Sequence, residues 1–251
     1  MSETTEVVTW QDELAKYAQA AVATQRASAG TALTFKSGIM KIGGQPVASN
    51  KLSVIVIGSA LENAYYDPSV PYDNDNPRSP ICFAFGETDE GMAPHAQSTV
   101  KQHDDCTSCP HNQWGSAEKG RGKACKNIQR LALMSASPLN VETVQQGEVA
   151  YAKLPVTSNK NYSNYVHLLA GVHKRPPFAV ITEIATVPDE KTQFKVTFRH
   201  MGNVEESAVG SALLNRSRTS FELLAVPYVS NGDDSAESKV EVKKPAGKKK
   251  F

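Results

Sequence analysis

Apolar and polar positions along this chain follow different periods in successive stretches. Residues 9–27, TWQDELAKYAQAAVATQRA, are Ala-rich and lack proline, and Trp10, Leu14, Tyr17 and Ala21 recur at helical spacing, which predicts an N-terminal helix within 1–30. After Gly30 the period falls to two. TALTFKSGIMKIGG sets Leu33, Phe35 and Ile39 among polar neighbours and ends in Gly43-Gly44, the pattern of a strand over 31–42 running into a turn. KLSVIVIGSAL, 51–61, is apolar on both faces and rich in β-branched residues, as a central strand covered on both sides would be.

From Asn63 to about Gln129 neither period holds. Pro68, Pro71, Pro77 and Pro80 stand among Asp and Asn, which stops helix and sheet alike. An irregular insertion of this length, about 62–128, needs either a function or a clamp other than a core. Regular patterns return at 128–136 and 148–156. SNYVHLLAGVHK, 163–174, reads as a helix with Tyr165, Leu168, Leu169 and Val172 inward, ended by Pro176-Pro177. Two strands, 178–187 and 192–201, are separated by Pro188-Asp189-Glu190-Lys191, a hairpin spacing. In the second, Phe194, Val196 and Phe198 share one face, and Lys195, Thr197 and Arg199 the other. Residues 203–225 read as a second helical region weakened by Gly210, and 226–251 as a disordered basic tail.

These elements predict a mainly β, α+β chain. Five strands (31–42, 51–61, 128–136, 178–187, 192–201) with a helix between the third and fourth follow the order of an OB-fold-like barrel over 31–225, with flanking helices and a long insertion in its second connection.

Composition narrows the function classes. The 251 residues are 40% hydrophobic, enough for a core, and 27 Lys and Arg balance 26 Asp and Glu. No global field therefore draws the chain to nucleic acid or membrane, and electrostatic preference must come from local clusters. The first residues carry acidic groups where a secretory signal needs basic ones, and no segment has the length of a membrane span, so a cytoplasmic location is expected.

In a reducing compartment clustered cysteines are metal ligands or redox groups rather than bridges. Cys106 and Cys109 have the two-residue gap that aims two sulfurs at one tetrahedral ion, Cys125 follows fifteen intervening residues later, and Cys82 opens the strand-like CFAFGET. A structural zinc on Cys82, Cys106, Cys109 and Cys125 uses every cysteine in the chain; His103 or His111 is the alternative fourth ligand. A redox pair is disfavoured because Cys-Thr-Ser-Cys lacks the preceding strand and following helix that activate a thiolate.

The same segment is locally basic. Lys119, Arg121, Lys123, Lys126 and Arg130 occur with no acidic residue between them, and Gly115, Gly120 and Gly122 permit close backbone approach, which suits phosphate oxygens. Trp114 with Tyr65, Tyr66 and Tyr72 would offer faces on which unpaired bases stack. Lys195 and Arg199 add a basic row on the 192–201 strand.

The segment CTSCPHNQWGSAEKGRGKACKNIQRLALM, with ALENAYYDP and the isolated Cys82 upstream, resembles the characteristic region of a group of bacteriophage early-region zinc-binding proteins. In that group a Cys-x-x-Cys-Pro pair precedes an Asn, an aromatic-Gly-Ser step, a Gly/Lys run, a further Cys and an Arg-bearing strand. The resemblance spans roughly 50–200 and is most specific from Cys106 to Leu133. It implies single-stranded DNA binding by an OB-like barrel. Replication proteins of this kind often end in an acidic tail with a terminal aromatic residue; this chain keeps Phe251 but precedes it with KKPAGKKK, which would add phosphate affinity instead.

The expected function is thus non-enzymatic binding of single-stranded DNA in phage replication or recombination. The alternative is a zinc-bearing protein that docks on a host or phage polymerase and modulates transcription. A His-Asn-His type nuclease is disfavoured, because His111-Asn112 lacks a catalytic partner.

Overall fold

The computed structural model describes residues 31–71, 78–205 and 207–228. The expected N-terminal helix and Tyr72 lie outside these residues, as does the tail from 229 onwards. Nine strands join one mixed sheet: β1 (Thr31–Lys36), β2 (Ile39–Ile42), β3 (Gln45–Pro46), β4 (Lys51–Tyr65), β5 (Cys82–Gly86), β6 (Lys126–Ser135), β7 (Ala150–Lys153), β8 (Val180–Asp189) and β9 (Gln193–Asn203). The helices are α1 (Val141–Gln146), α2 (Asn159–Leu168), α3 (Ala208–Arg218) and α4 (Ser220–Leu224). No helix among the described residues is long and apolar enough to cross a membrane.

The strand order is β3-β2-β1-β7-β6-β4-β8-β9, with β5 also on β4. β4 organises the sheet. One edge pairs with β6 from Val54 to Ala64, while the other is shared between β8 at Lys51–Val54 and β5 at Leu61–Tyr65. The sheet curls into a half-barrel, which replaces the closed five-stranded barrel expected from the strand count. Two features account for the difference. The 31–42 segment is a hairpin rather than one strand, because Ser37 and Gly38, at φ 53° and 78°, supply the left-handed pair a tight two-residue turn requires. The 148–156 segment supplies β7, which pairs parallel to β1 and antiparallel to β6, widening the sheet between them. The curl brings the β1–β2 turn back towards β8, where the Thr186 hydroxyl donates to the Gly38 carbonyl at 2.6 Å without forming a ladder.

Each face of the sheet has its own core. Inside the curl, Val54, Val56, Leu131 and Leu133 pack with Leu33, Tyr162, Tyr165, Leu169 and Val196. On the outside, Ile55, Ile57, Ala132 and Met134 pack with Val144, Leu213 and Leu224 from α1, α3 and α4. This two-sided burial explains the continuous apolar run of β4. A bulge between Val56 and Gly58 lets α4 approach closely. A Cβ on Gly58 would lie 1.9 Å from the Ser220 hydroxyl.

The β8–β9 hairpin and the 203–225 helices match the expected elements, with the latter split at Thr219. The 163–174 helix does not keep its expected phase. It begins at Asn159 and continues as a wider turn over Leu169–His173, so Tyr162, Tyr165 and Leu169 are buried while Leu168 and Val172 are exposed. Past residue 225, Val226 and Tyr228 are still hydrogen-bonded to Arg130 and Glu62.

Candidate functional site

The insertion is built on β5. Its hydrogen bonds run back to that strand: His95 N–H donates to the Phe83 carbonyl at 2.7 Å, and the Ser98 hydroxyl bridges the Phe83 backbone. Cys106 N–H then donates to the Met92 carbonyl at 2.9 Å, which draws the first paired cysteine against β4. Pro110, with its φ preset, opens a single 3-10 turn at Pro110–Asn112 directly after Cys109. Asn112 closes the knuckle, its backbone N–H donating to the Cys109 carbonyl and its side-chain amide to the Cys106 carbonyl at 2.8 Å. Cys125 is brought in by its N–H to the His111 carbonyl at 2.8 Å.

All four cysteines are reduced and buried, and all four line one cavity of about 20 Å³ together with Tyr65 and His111. That volume suits a single water-sized body. Burial pushes the Cys125 thiol up to about 12, reinforced by Cys106, Cys109 and Cys82; burial also raises Cys106. The mutual electrostatic effect marks the four sulfurs as neighbours. Among the described residues no three His, Cys, Asp or Glu side chains stand in a ready metal-holding arrangement, so the thiols share a cavity without forming an assembled coordination shell. The donor set itself fits zinc, which favours thiolates in low-dielectric surroundings. His103 is engaged through Nδ1 by the Asp105 backbone, and the His111 ring lies against Tyr65 at 4.3 Å between centroids.

Between Cys109 and Cys125 the chain projects a closed loop. Gly115 and Ala117 N–H groups both donate to the Gly122 carbonyl, at 3.0 and 3.1 Å, and Gly115 and Gly120 take φ of 87° and 80°, which side chains disfavour. The Ser116 hydroxyl ties the base to the His111 carbonyl at 2.9 Å. Trp114 stands on this loop 80% exposed, with the Lys123 ammonium 5.8 Å from its ring centroid. Lys119, Arg121 and Lys126 are exposed, and Lys123 is half-buried with its ammonium donating to Asn112 Oδ1 at 3.2 Å.

The other expected nucleic-acid residues are placed differently. Arg130 is 8% exposed and its guanidinium is consumed internally, pairing with Glu62 and donating to the Leu224 carbonyl at 2.6 Å. This corrects its assignment as a phosphate contact: its position on β6 points it to the outer core, where the buried Glu62 needs a cation. Lys195 is held by Asp189 at 2.5 Å, and hydrogen bonds from Lys195 and Thr192 keep that carboxyl down at about 2. Arg199 pairs with Glu183 at 3.1 Å and remains exposed. Both lie on the β8–β9 hairpin, on elements separate from the insertion. Tyr65 is half-buried against His111 and the cysteine cavity rather than displayed as a stacking face, and Tyr66 beside it is half-buried too.

Sequence reasoning missed the ion network on the outer face. Glu62 is wholly buried and accepts from Arg130, Lys153 at 3.2 Å and the Tyr228 hydroxyl. Burial pushes its carboxyl up, but Lys153, Arg130 and Tyr228 outweigh that and hold it below its ordinary value. The available signal was Glu62, the one acidic residue of β4, just past its apolar run. Comparison with protein-family models, curated proteins and solved structures returned no match.

Proposed function

We propose that this protein binds single-stranded DNA, acting without catalysis in phage replication or recombination in the host cytoplasm, and that its cysteine cavity holds a structural zinc ion. The observation that carries the reading is Trp114: a large aromatic ring, 80% exposed, on a glycine-closed loop whose two ends enter the cysteine cavity. Held on an ordered loop, the ring presents a free face on which an unpaired base can stack. Lys119, Arg121 and Lys126 beside it are exposed cations on the same loop and its exit. An aromatic face flanked by cations suits a base and its neighbouring phosphates.

Cys82, Cys106, Cys109 and Cys125 would hold the zinc. The ion supplies a fixed, redox-inert crosslink between β5, the knuckle and the start of β6. The chain's own part is orientation, because the hydrogen bonds of Asn112 and Ser116 set the loop's direction relative to β4 and β6.

Titration of labelled single-stranded and duplex oligonucleotides at two salt concentrations, with zinc content measured on the same samples, tests the reading. Preferential, salt-sensitive single-strand binding by zinc-loaded protein supports it. Absence of binding at low salt, or equal affinity for duplex, removes it.

A further inference from the structure

A second feature adjoins the loop. A cleft of about 440 Å³ opens where the inner face of the β4–β6 ladder runs past its apolar core and meets the knuckle and the first turn of α2. Its size lies in the range of small-molecule sites. Leu61, Asn63, Asn127 and Gln129 share this face, because Leu61 pairs with Gln129 and Asn63 with Asn127.

The wall is unusual in how its amides are spent. Gln129 Nε2 donates to the Ala60 carbonyl, Gln113 Nε2 to the Thr107 carbonyl at 2.8 Å, and Asn127 Nδ2 to Asn112 Oδ1 at 2.9 Å. Each amide nitrogen is thereby committed to the protein. The side-chain amide oxygens of Gln113, Asn127 and Gln129, unlike their backbone carbonyls, accept no hydrogen bond among the described residues. Asn159, at the start of α2, repeats the pattern: its Nδ2 donates to the Asn127 carbonyl at 2.9 Å and its Oδ1 is buried without a partner. A buried acceptor left unmade is costly, so Asn159 Oδ1 marks a place for a ligand that donates, and the half-buried Asn127 and Gln129 and the exposed Gln113 bring three further amides to the same cleft. Asp89 adds a carboxylate, Leu61 an apolar surface, and Lys123 and Lys160 ammonium groups.

We infer that this cleft is a subsite for one amino-bearing nucleotide of a single strand, cytidine, adenosine or guanosine, whose exocyclic amine donates to the amide carbonyls while Lys123 and Lys160 meet its phosphate. The inference rests on the single-strand reading above and deepens it. Cytosine, adenine and guanine offer amine donors on the edge left open in an unpaired strand. Thymine has no amine, and its single N3–H lies between two carbonyls that would face those of the wall. The Trp114 loop stacks any base, whereas the cleft discriminates.

The test is fluorescence anisotropy of zinc-loaded full-length protein with short labelled oligo-dC, oligo-dA and oligo-dT, together with a CMP titration followed by NMR. Wild type is expected to bind oligo-dC at least about fivefold more tightly than oligo-dT. Asn159→Ala and, separately, Gln113→Ala should bring the ratio near one, with the loss falling mainly on oligo-dC. Gln113 is exposed, so its variant carries the test if the Asn159 variant folds poorly. Equal wild-type affinities, or a ratio unaltered in both variants, overturn the subsite alone. CMP shifts in the cleft without strand binding retain a nucleotide site and remove the single-strand function. Neither strand nor CMP binding overturns both.

Discussion

Glu62 and Arg130 stand 68 positions apart in the chain and form an ion pair on the outer face of the sheet, with the Glu62 side chain wholly buried and that of Arg130 one-tenth exposed. The pair is closed from outside by Tyr228, whose hydroxyl donates to the same carboxylate, and from the side by Phe85, whose ring centroid lies 4.3 Å from the guanidinium. Glu62→Gln should destabilise the fold by about 3–5 kcal/mol in urea unfolding, since it leaves a buried cation uncompensated.

The same carboxylate shapes the acid limb of stability. Its folded pKa lies below the unfolded one, so its contribution is complete above the unfolded value and is lost as pH falls through the folded value. Thermal unfolding followed from neutral pH downward should show wild type losing stability below the ordinary carboxylate range. Glu62→Gln should lose less over that interval; parallel curves would argue that other carboxylates govern the limb.

Zinc analysis of protein purified without chelator should return one ion per chain, and Cys109→Ser or Cys125→Ser should return much less. Because the two cores lie outside the insertion, far-UV circular dichroism should change little on metal removal. Limited proteolysis should instead open new cleavage between about 87 and 125. Loss of the whole sheet signal would mean that the clamp supports the domain rather than the loop.

Trp114 and Trp10 are the two tryptophans of the chain, so a Trp10→Phe background isolates the loop. Its emission should start red-shifted, as for a solvated ring, and be quenched on adding single strand. Trp114→Ala should weaken that binding by about 1–3 kcal/mol, the range for loss of one base–aromatic stack.

Salt dependence separates free cations from paired ones. Alanine at Lys119, Arg121 or Lys126 should each lower the log–log salt slope of strand binding by about 0.7. Lys195→Ala should alter it far less, because its ammonium is held by Asp189. An equal effect from Lys195 would place the strand across the β8–β9 hairpin instead.

Gly58→Ala should destabilise by about 1–3 kcal/mol through the clash with Ser220 at the bulge. Ser220→Gly in the same chain should recover most of that loss. Absence of recovery would show that the bulge itself rejects a side chain.

Much of this protein was legible in order along the chain. The apolar run of β4, the alternation of β9 with Val196 buried, and the hairpin between Val180 and Asn203 all follow from local period, which side-chain direction imposes wherever one face is buried. The cysteine spacing likewise led to one cavity, since a two-residue gap and a proline turn dictate the knuckle locally. The sequence by itself therefore determined element types, the clustering of the four cysteines and the exposed basic loop. Tertiary structure alone decided the rest. Whether the sheet closes depends on β7 entering beside β1, a pairing between residues more than a hundred positions apart. Whether Arg130 meets solvent or Glu62 depends on which face of β6 is covered by α4 and Tyr228. The amide cleft exists only because β4, β6, the knuckle and the first turn of α2 converge. Local propensity acts over a few residues, whereas register, coverage and convergence are settled by contacts between segments far apart in the chain.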